Sequence, residues 1–154
     1  MIIAIVLSYL IENLVKRVKP RFTIFYFNTL SDAIEIHKDL KMVEAKLMSD
    51  PYAIANQEDY LGRTPLWQAI SLDNDFDSVE IVRLLIAYGA NLNQQCFGIT
   101  PLSLAVKVGN SEIVKLLIEN GATINAFDDS GNTALETALR KRQISILKNI
   151  LVHQ

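Results

Sequence analysis

A chain of 154 residues holds one domain and is short for two. Half of its residues are hydrophobic and 21% are charged, enough for a sizeable core beneath an ordinary polar surface. The net charge of −2 argues against a nucleic-acid binder, and the single cysteine, Cys96, excludes an internal disulfide and suits a reducing compartment.

The chain opens on a nearly continuous apolar run from Ile2 to Ile11, followed by Lys16, Arg17, Lys19 and Arg21. A signal peptide would carry its positive charge before the apolar run and a small-residue cleavage site after it. A membrane span needs about 20 apolar residues, and Glu12 and Asn13 interrupt this one at about half that length. The segment therefore reads as a helix over residues 2–18 that packs on the rest of the chain. The alternative is a membrane anchor formed by residues 1–21, apolar first and basic after. Arg21 to Phe27 is aromatic and β-branched, and its periodicity does not settle it as strand or lead-in.

From residue 28 onward the sequence repeats itself. Leu30-Ser31-Asp32-Ala33-Ile34 returns as Leu66-Trp67-Gln68-Ala69-Ile70, an offset of 36. Gly62-Arg63-Thr64-Pro65-Leu66 returns as Gly98-Ile99-Thr100-Pro101-Leu102 and as Gly131-Asn132-Thr133-Ala134-Leu135, at offsets of 36 and 33. An alanine follows at one place in each: Ala69, Ala105, Ala138. A second apolar block comes next, Ile81–Leu85, Ile113–Leu117 and Ile146–Ile150.

The small residues between these blocks predict helix ends. Threonine accepts an orphan backbone N–H at a helix start, and proline suits the first helical position. Where the last copy lacks proline, Thr133 and Glu136 have the spacing of a capping box. Asn110 and Asp77 stand where the second helices should begin, and Gly89 and Gly121 where a left-handed residue should end them. Met42–Leu47 reads as the second helix of the opening unit, ended near Ser49-Asp50-Pro51.

These residues resemble ankyrin repeats, whose pattern runs roughly G-x-T-P-L-H-x-A-A, then I-V-x-L-L, then G-A-x-x-N. The resemblance implies an all-α ankyrin-repeat solenoid of stacked helix-turn-helix units, with an extra N-terminal helical segment. The expected division is 1–27 as an N-terminal capping segment, 28–57 as a degenerate opening repeat, 58–94 as a repeat with a loop insertion, 95–127 as a repeat, and 128–154 as a C-terminal capping repeat. Two departures stand out. The family's histidine is replaced by Trp67, Ser103 and Glu136, so turn-to-turn bonding must be arranged differently. Four extra residues also separate the helices of the first clear copy, around Leu72 to Phe76.

No chemistry-bearing constellation emerges. His37 and His153 lie far apart, no Cys/His pair has metal spacing, and the glycines fall singly at turns rather than in a phosphate loop. Asp73-Asn74-Asp75-Phe76-Asp77 spaces its acids like the opening of a calcium loop. Ser78 stands where that loop needs glycine and Leu84 where it needs a bidentate glutamate, so it reads as a solvated loop capping the next helix. Neither a catalytic residue nor a metal or other cofactor is expected, and the chain is not expected to be an enzyme.

The resemblance implies instead a concave surface of turn tips and first helices that binds another protein. Carried onto this sequence, that surface comprises Tyr60, Leu61 and Arg63, with Leu72 at the end of the first helix and Phe76 on the inserted loop. Phe97, Ile99 and Lys107 follow in the second copy, and Asn132 and Arg140 in the third. Tyr60, Leu61, Phe97 and Ile99 are apolar or aromatic where a spacer turn would be polar; they either anchor a partner or fold back to staple the stack. The expectation is a cytoplasmic, monomeric interaction module, acting as a small adaptor or inhibitor. Membrane association through residues 1–21 is the alternative.

Overall fold

The computed structural model describes residues 30, 33–37, 40–48, 55–72 and 76–153, and the N-terminal segment 1–27 lies outside them. A π-helical segment, Ala33–His37, leads to α1 (Leu40–Leu47). Three helix pairs follow: α2 (Pro65–Ser71) with α3 (Phe76–Ala87), α4 (Pro101–Val108) with α5 (Ser111–Glu119), and α6 (Ala134–Arg140) with α7 (Ile144–Val152). The described residues form an all-α repeat solenoid, with only an isolated bridge between Cys96 and Ile99 outside the helices.

The helices start where their caps dictate. The Thr64, Thr100 and Thr133 hydroxyls accept the N–H groups of Trp67, Ser103 and Glu136 at 3.2, 3.1 and 3.3 Å. Pro65 and Pro101 occupy the first turn. Glu136 completes its capping box by accepting from the Thr133 N–H at 2.7 Å. Asn110 accepts from Glu112 and Ile113 at the head of α5. The inserted loop differs from expectation: α3 already begins at Phe76, so Asp77 lies within the helix instead of capping it. Gly89 and Gly121 are both left-handed, as helix-ending residues must be.

First helices form one layer and second helices another. Helix α2 packs against the π-helical segment and α4, and α4 against α6; α3 packs against α1 and α5, and α5 against α7. The repeating alanines, Ala69, Ala105 and Ala138, are all fully buried, which lets first helices approach closely. Leu66, Ile81, Leu85, Leu102, Ile113, Leu117, Ile146 and Ile150 fill the space between layers. Each such side chain contributes about 1.5–3 kcal/mol when sealed from water. Much of that sealing comes from the neighbouring unit, so an isolated hairpin would forfeit it.

Polar bonds run along the stack as well. Asn56 Oδ1 accepts from the Asn91 N–H at 2.6 Å, and Asn93 Oδ1 accepts from the Thr123 N–H at 2.8 Å. The same residue type thus ties each closing turn to the next. The Asp129 N–H donates to the Gly98 carbonyl at 2.9 Å, and Asn149 Nδ2 to the Ser111 carbonyl at 3.0 Å. These bonds, with Trp67 against Phe97, join neighbouring units in a chain that lacks the family's histidine.

Candidate protein-binding crest

Two of the three turns are built around a buried aspartate. Asp59 Oδ1 accepts from the Leu61 and Arg63 N–H groups, both at 2.9 Å, while its other oxygen accepts from Arg63 Nε at 2.7 Å and Gln68 Nε2 at 3.0 Å. Asp128 Oδ1 likewise accepts from the Ser130 and Asn132 N–H groups at 3.0 and 2.9 Å. Its Oδ2 meets Lys107 Nζ, from the preceding unit, at 3.0 Å.

Burial works against the Asp59 carboxylate. The N–H of Arg63, its guanidinium and the N–H of Leu61 outweigh it and hold the carboxyl below its ordinary value. For Asp128 the Asn132 N–H is the main cause of the same lowering; burial opposes it and Lys107 adds to it. The Thr133 N–H and hydroxyl likewise lower Glu136.

The middle turn has no aspartate at this place; Gln95 stands there. It closes instead as a two-residue hairpin, with Cys96 and Ile99 exchanging backbone bonds at 3.1 and 3.0 Å. Phe97 and Gly98 are both left-handed, φ 53° and 69°, the arrangement of a type I′ turn. Phenylalanine is costly in that conformation. Its ring lies edge-on to Trp67, centroids 5.8 Å apart and planes at 70°, a favourable aromatic geometry that offsets part of the cost. The Arg63 guanidinium carbon sits 6.0 Å from the Trp67 ring centroid.

The structure brings some of the expected residues together at the turn tips. Tyr60 is 90% exposed and Phe97 60%, and Leu61, which holds the place of Phe97 one unit earlier, is exposed as well. Tyr60 therefore does not staple the stack, whereas Phe97 both packs on Trp67 and presents a face to solvent. Leu72 and Ile99 are half-buried and pack against the core. Arg63 is spent on Asp59 at 2.7 Å and Glu35 at 2.8 Å, and Lys107 on Asp128. Asn132 Oδ1 accepts from Arg140 Nη2 at 2.6 Å. Phe76 opens α3, but its side chain lies outside what is described.

Asp59 and Asp128 are not among the residues that stand out from sequence, and Trp67 stands out there only as the replacement for the family's histidine. The signal was present for the aspartates: each falls five residues before its threonine cap, at 64 and 133. The membrane-anchor alternative rests on residues 1–21, outside the described residues. Among the described residues no helix is long and apolar enough to cross a membrane.

Comparison with known proteins agrees with this architecture. The family model for ankyrin repeats, in three copies, matches residues 75–154, which is 80 of the 154 residues. The chain is 34% identical over 111 residues to neurogenic locus notch homolog protein 1 of Xenopus laevis, covering 68% of this chain and 4% of that protein. It is 42% identical over 71 residues to transient receptor potential cation channel subfamily V member 6 of Rattus norvegicus, covering 37% and 9%. It is 37% identical over 86 residues to glycerophosphocholine phosphodiesterase gde1 of Schizosaccharomyces pombe, covering 54% and 7%. The chain thus spans less than a tenth of the length of each of these relatives. Capped helix pairs, left-handed turn glycines and a matching family model over more than half the sequence agree: the chain belongs to the ankyrin-repeat family.

Proposed function

We propose that this chain is a non-catalytic binding module that captures a protein partner on the crest formed by Tyr60, Leu61 and Phe97. Ankyrin repeats generally mediate protein–protein interaction and are an interaction fold rather than a catalytic one, although some relatives, such as the phosphodiesterase above, are multidomain enzymes. The observation that carries the reading is the exposure of three large apolar side chains on adjacent turn tips. Each tip is held rigid from beneath, one by the buried Asp59 and the other by the Trp67–Phe97 contact. A pre-shaped apolar surface loses little entropy on binding, and aromatic anchors dominate binding energy where they are desolvated.

Within this reading Leu72, Phe76, Ile99, Lys107, Asn132 and Arg140 border the contact, and Arg63 acts through Asp59 and Trp67 as a positioning residue. The role proposed within this reading is that of an adaptor or inhibitor that occupies one partner. The test is affinity capture from the native cell with the parent chain, followed by titration of the captured protein against Tyr60→Ala with Phe97→Asn. Asparagine tolerates the left-handed turn, so the fold is kept. Each anchor lost should weaken binding by about 30-fold, the effect of a roughly 2 kcal/mol hot spot. Unchanged affinity in the double variant, with helical signal intact, would remove the crest as the binding surface.

A further inference from the structure

Asn120-Gly121 is the one Asn-Gly pair in the sequence, and it falls where α5 ends. Such a pair carries its own chemistry. The Gly121 nitrogen can attack Cγ of the Asn120 side chain, because glycine has no side chain to block the approach. A new N–C bond closes a cyclic imide, the Gly121 nitrogen gives its proton to water, and the Asn120 amide nitrogen leaves as ammonia. Water then opens the imide at either carbonyl, giving aspartate or isoaspartate. Water is the only co-reactant.

The fold holds these atoms out of reach. Asn120 has ψ 11°, which places the Gly121 nitrogen nearly eclipsed with the Asn120 nitrogen. Cβ lies a third of a turn away about the same bond, so the ring cannot close until the backbone rotates. Both reacting groups are also engaged. The Gly121 N–H donates to the Ile118 carbonyl at 3.1 Å, and Asn120 Nδ2 to the Leu116 carbonyl at 2.8 Å. The chain beyond is pinned as well. The Ala122 N–H donates to the Leu117 carbonyl at 2.9 Å, and the Thr123 N–H to Asn93 Oδ1 of the preceding unit at 2.8 Å. Yet Glu119, Asn120, Gly121 and Thr123 are exposed, and helix ends open more readily than helix centres.

We infer that Asn120 is a site of spontaneous deamidation, gated by opening of the end of α5 and held back by the tie to Asn93. The product changes the stack at that place. An aspartate carboxylate has no donor for the Leu116 carbonyl, and its charge stands beside Glu119 at the negative end of the helix dipole. Isoaspartate also lengthens the main chain by the Asn120 Cβ. Either product loosens the turn that carries the bond to Asn93. The inference is independent of the crest reading.

Peptide mapping by mass spectrometry tests it on the full 154-residue chain, incubated folded and in urea at mildly alkaline pH. In urea residue 120 should convert ahead of every other asparagine. In the folded chain it should convert at least about tenfold more slowly. The ratio of the two rates should match, within about threefold, the exchange protection of the Gly121 amide, because one opening frees that N–H for both reactions. Asn93→Ala should raise the folded rate by about 2- to 10-fold, the effect of one lost hydrogen bond on an opening, and leave the urea rate unchanged. Equal rates in the folded chain and in urea overturn the inference. So does a ratio that departs from the Gly121 protection, another asparagine converting first in urea, or an Asn93→Ala chain of unchanged circular dichroism that converts no faster than the parent.

Discussion

Replacing Gly98 by alanine isolates what neighbouring units owe each other. Gly62 and Gly98 hold the same place in successive turns, with φ of 76° and 69°. Alanine in that left-handed region costs about 1–2 kcal/mol, and its stiffer unfolded chain returns about 0.4–1 kcal/mol. Gly62→Ala should therefore cost about 1 kcal/mol, since a methyl group there meets nothing within 4 Å. At Gly98 the methyl would stand 2.7 Å from Asp129 Cβ and 3.5 Å from its Cα. The Cβ is bonded directly to the backbone of the third turn and no rotamer change moves it away, so the turn itself must move. Displacement of packed atoms adds about 1–3 kcal/mol, and the stretched Asp129 to Gly98 hydrogen bond up to about 1 kcal/mol. Gly98→Ala should thus cost about 2–5 kcal/mol. Urea unfolding followed by far-UV circular dichroism measures both. Asp129→Gly in the Gly98→Ala background, by removing the clashing Cβ, should recover more than about 1 kcal/mol as a coupling energy. Two alanine variants of equal stability, within about 0.5 kcal/mol, would refute the close approach of the turns.

Arg142 is left-handed at φ 55°, where the preceding unit has Gly109, so Arg142→Gly should stabilise by about 0.5–1 kcal/mol, a rise of about 2–4 °C in Tm, while Arg142→Ala should gain nothing. Asp59 and Asp128 bind protons less readily folded than unfolded, so their stabilisation is present above the unfolded carboxyl pKa, near about 4, and is lost as pH falls through the lower folded values. Stability should therefore fall steeply below about pH 4, and Asp128→Asn should flatten that slope, as urea midpoints across the acid range will show.

The repeated threonine, proline and alanine positions make the helix pairs legible from sequence, because capping and close helix packing demand those residues locally. Thr64, Thr100, Thr133 and Asn110 accept the bonds their positions foretell. What stays hidden depends on partners distant in sequence. Arg63 reads as a free anchor until Glu35 and Asp59 are seen to hold its guanidinium. Phe97 reads as an anchor or a staple, and only the structure shows its left-handed backbone beside the Trp67 ring. Lys107 reads as a surface charge, yet it reaches across to the next unit's Asp128. The start of α3 was missed for a local reason: the acidic inserted loop offers several capping side chains in a row, and the helix begins before the last of them.

Amide hydrogen exchange at Asn91, Thr123 and Asp129 tests the stack most directly. Asn91 and Thr123 lie at exposed turns, and each of the three donates its N–H across a unit boundary, to Asn56, Asn93 and Gly98 respectively. Side-by-side units predict exchange at least about tenfold slower than in an unstructured chain at all three. Exchange at the unstructured rate, with the helices themselves protected, would show that the hairpins form without stacking and would contradict the account.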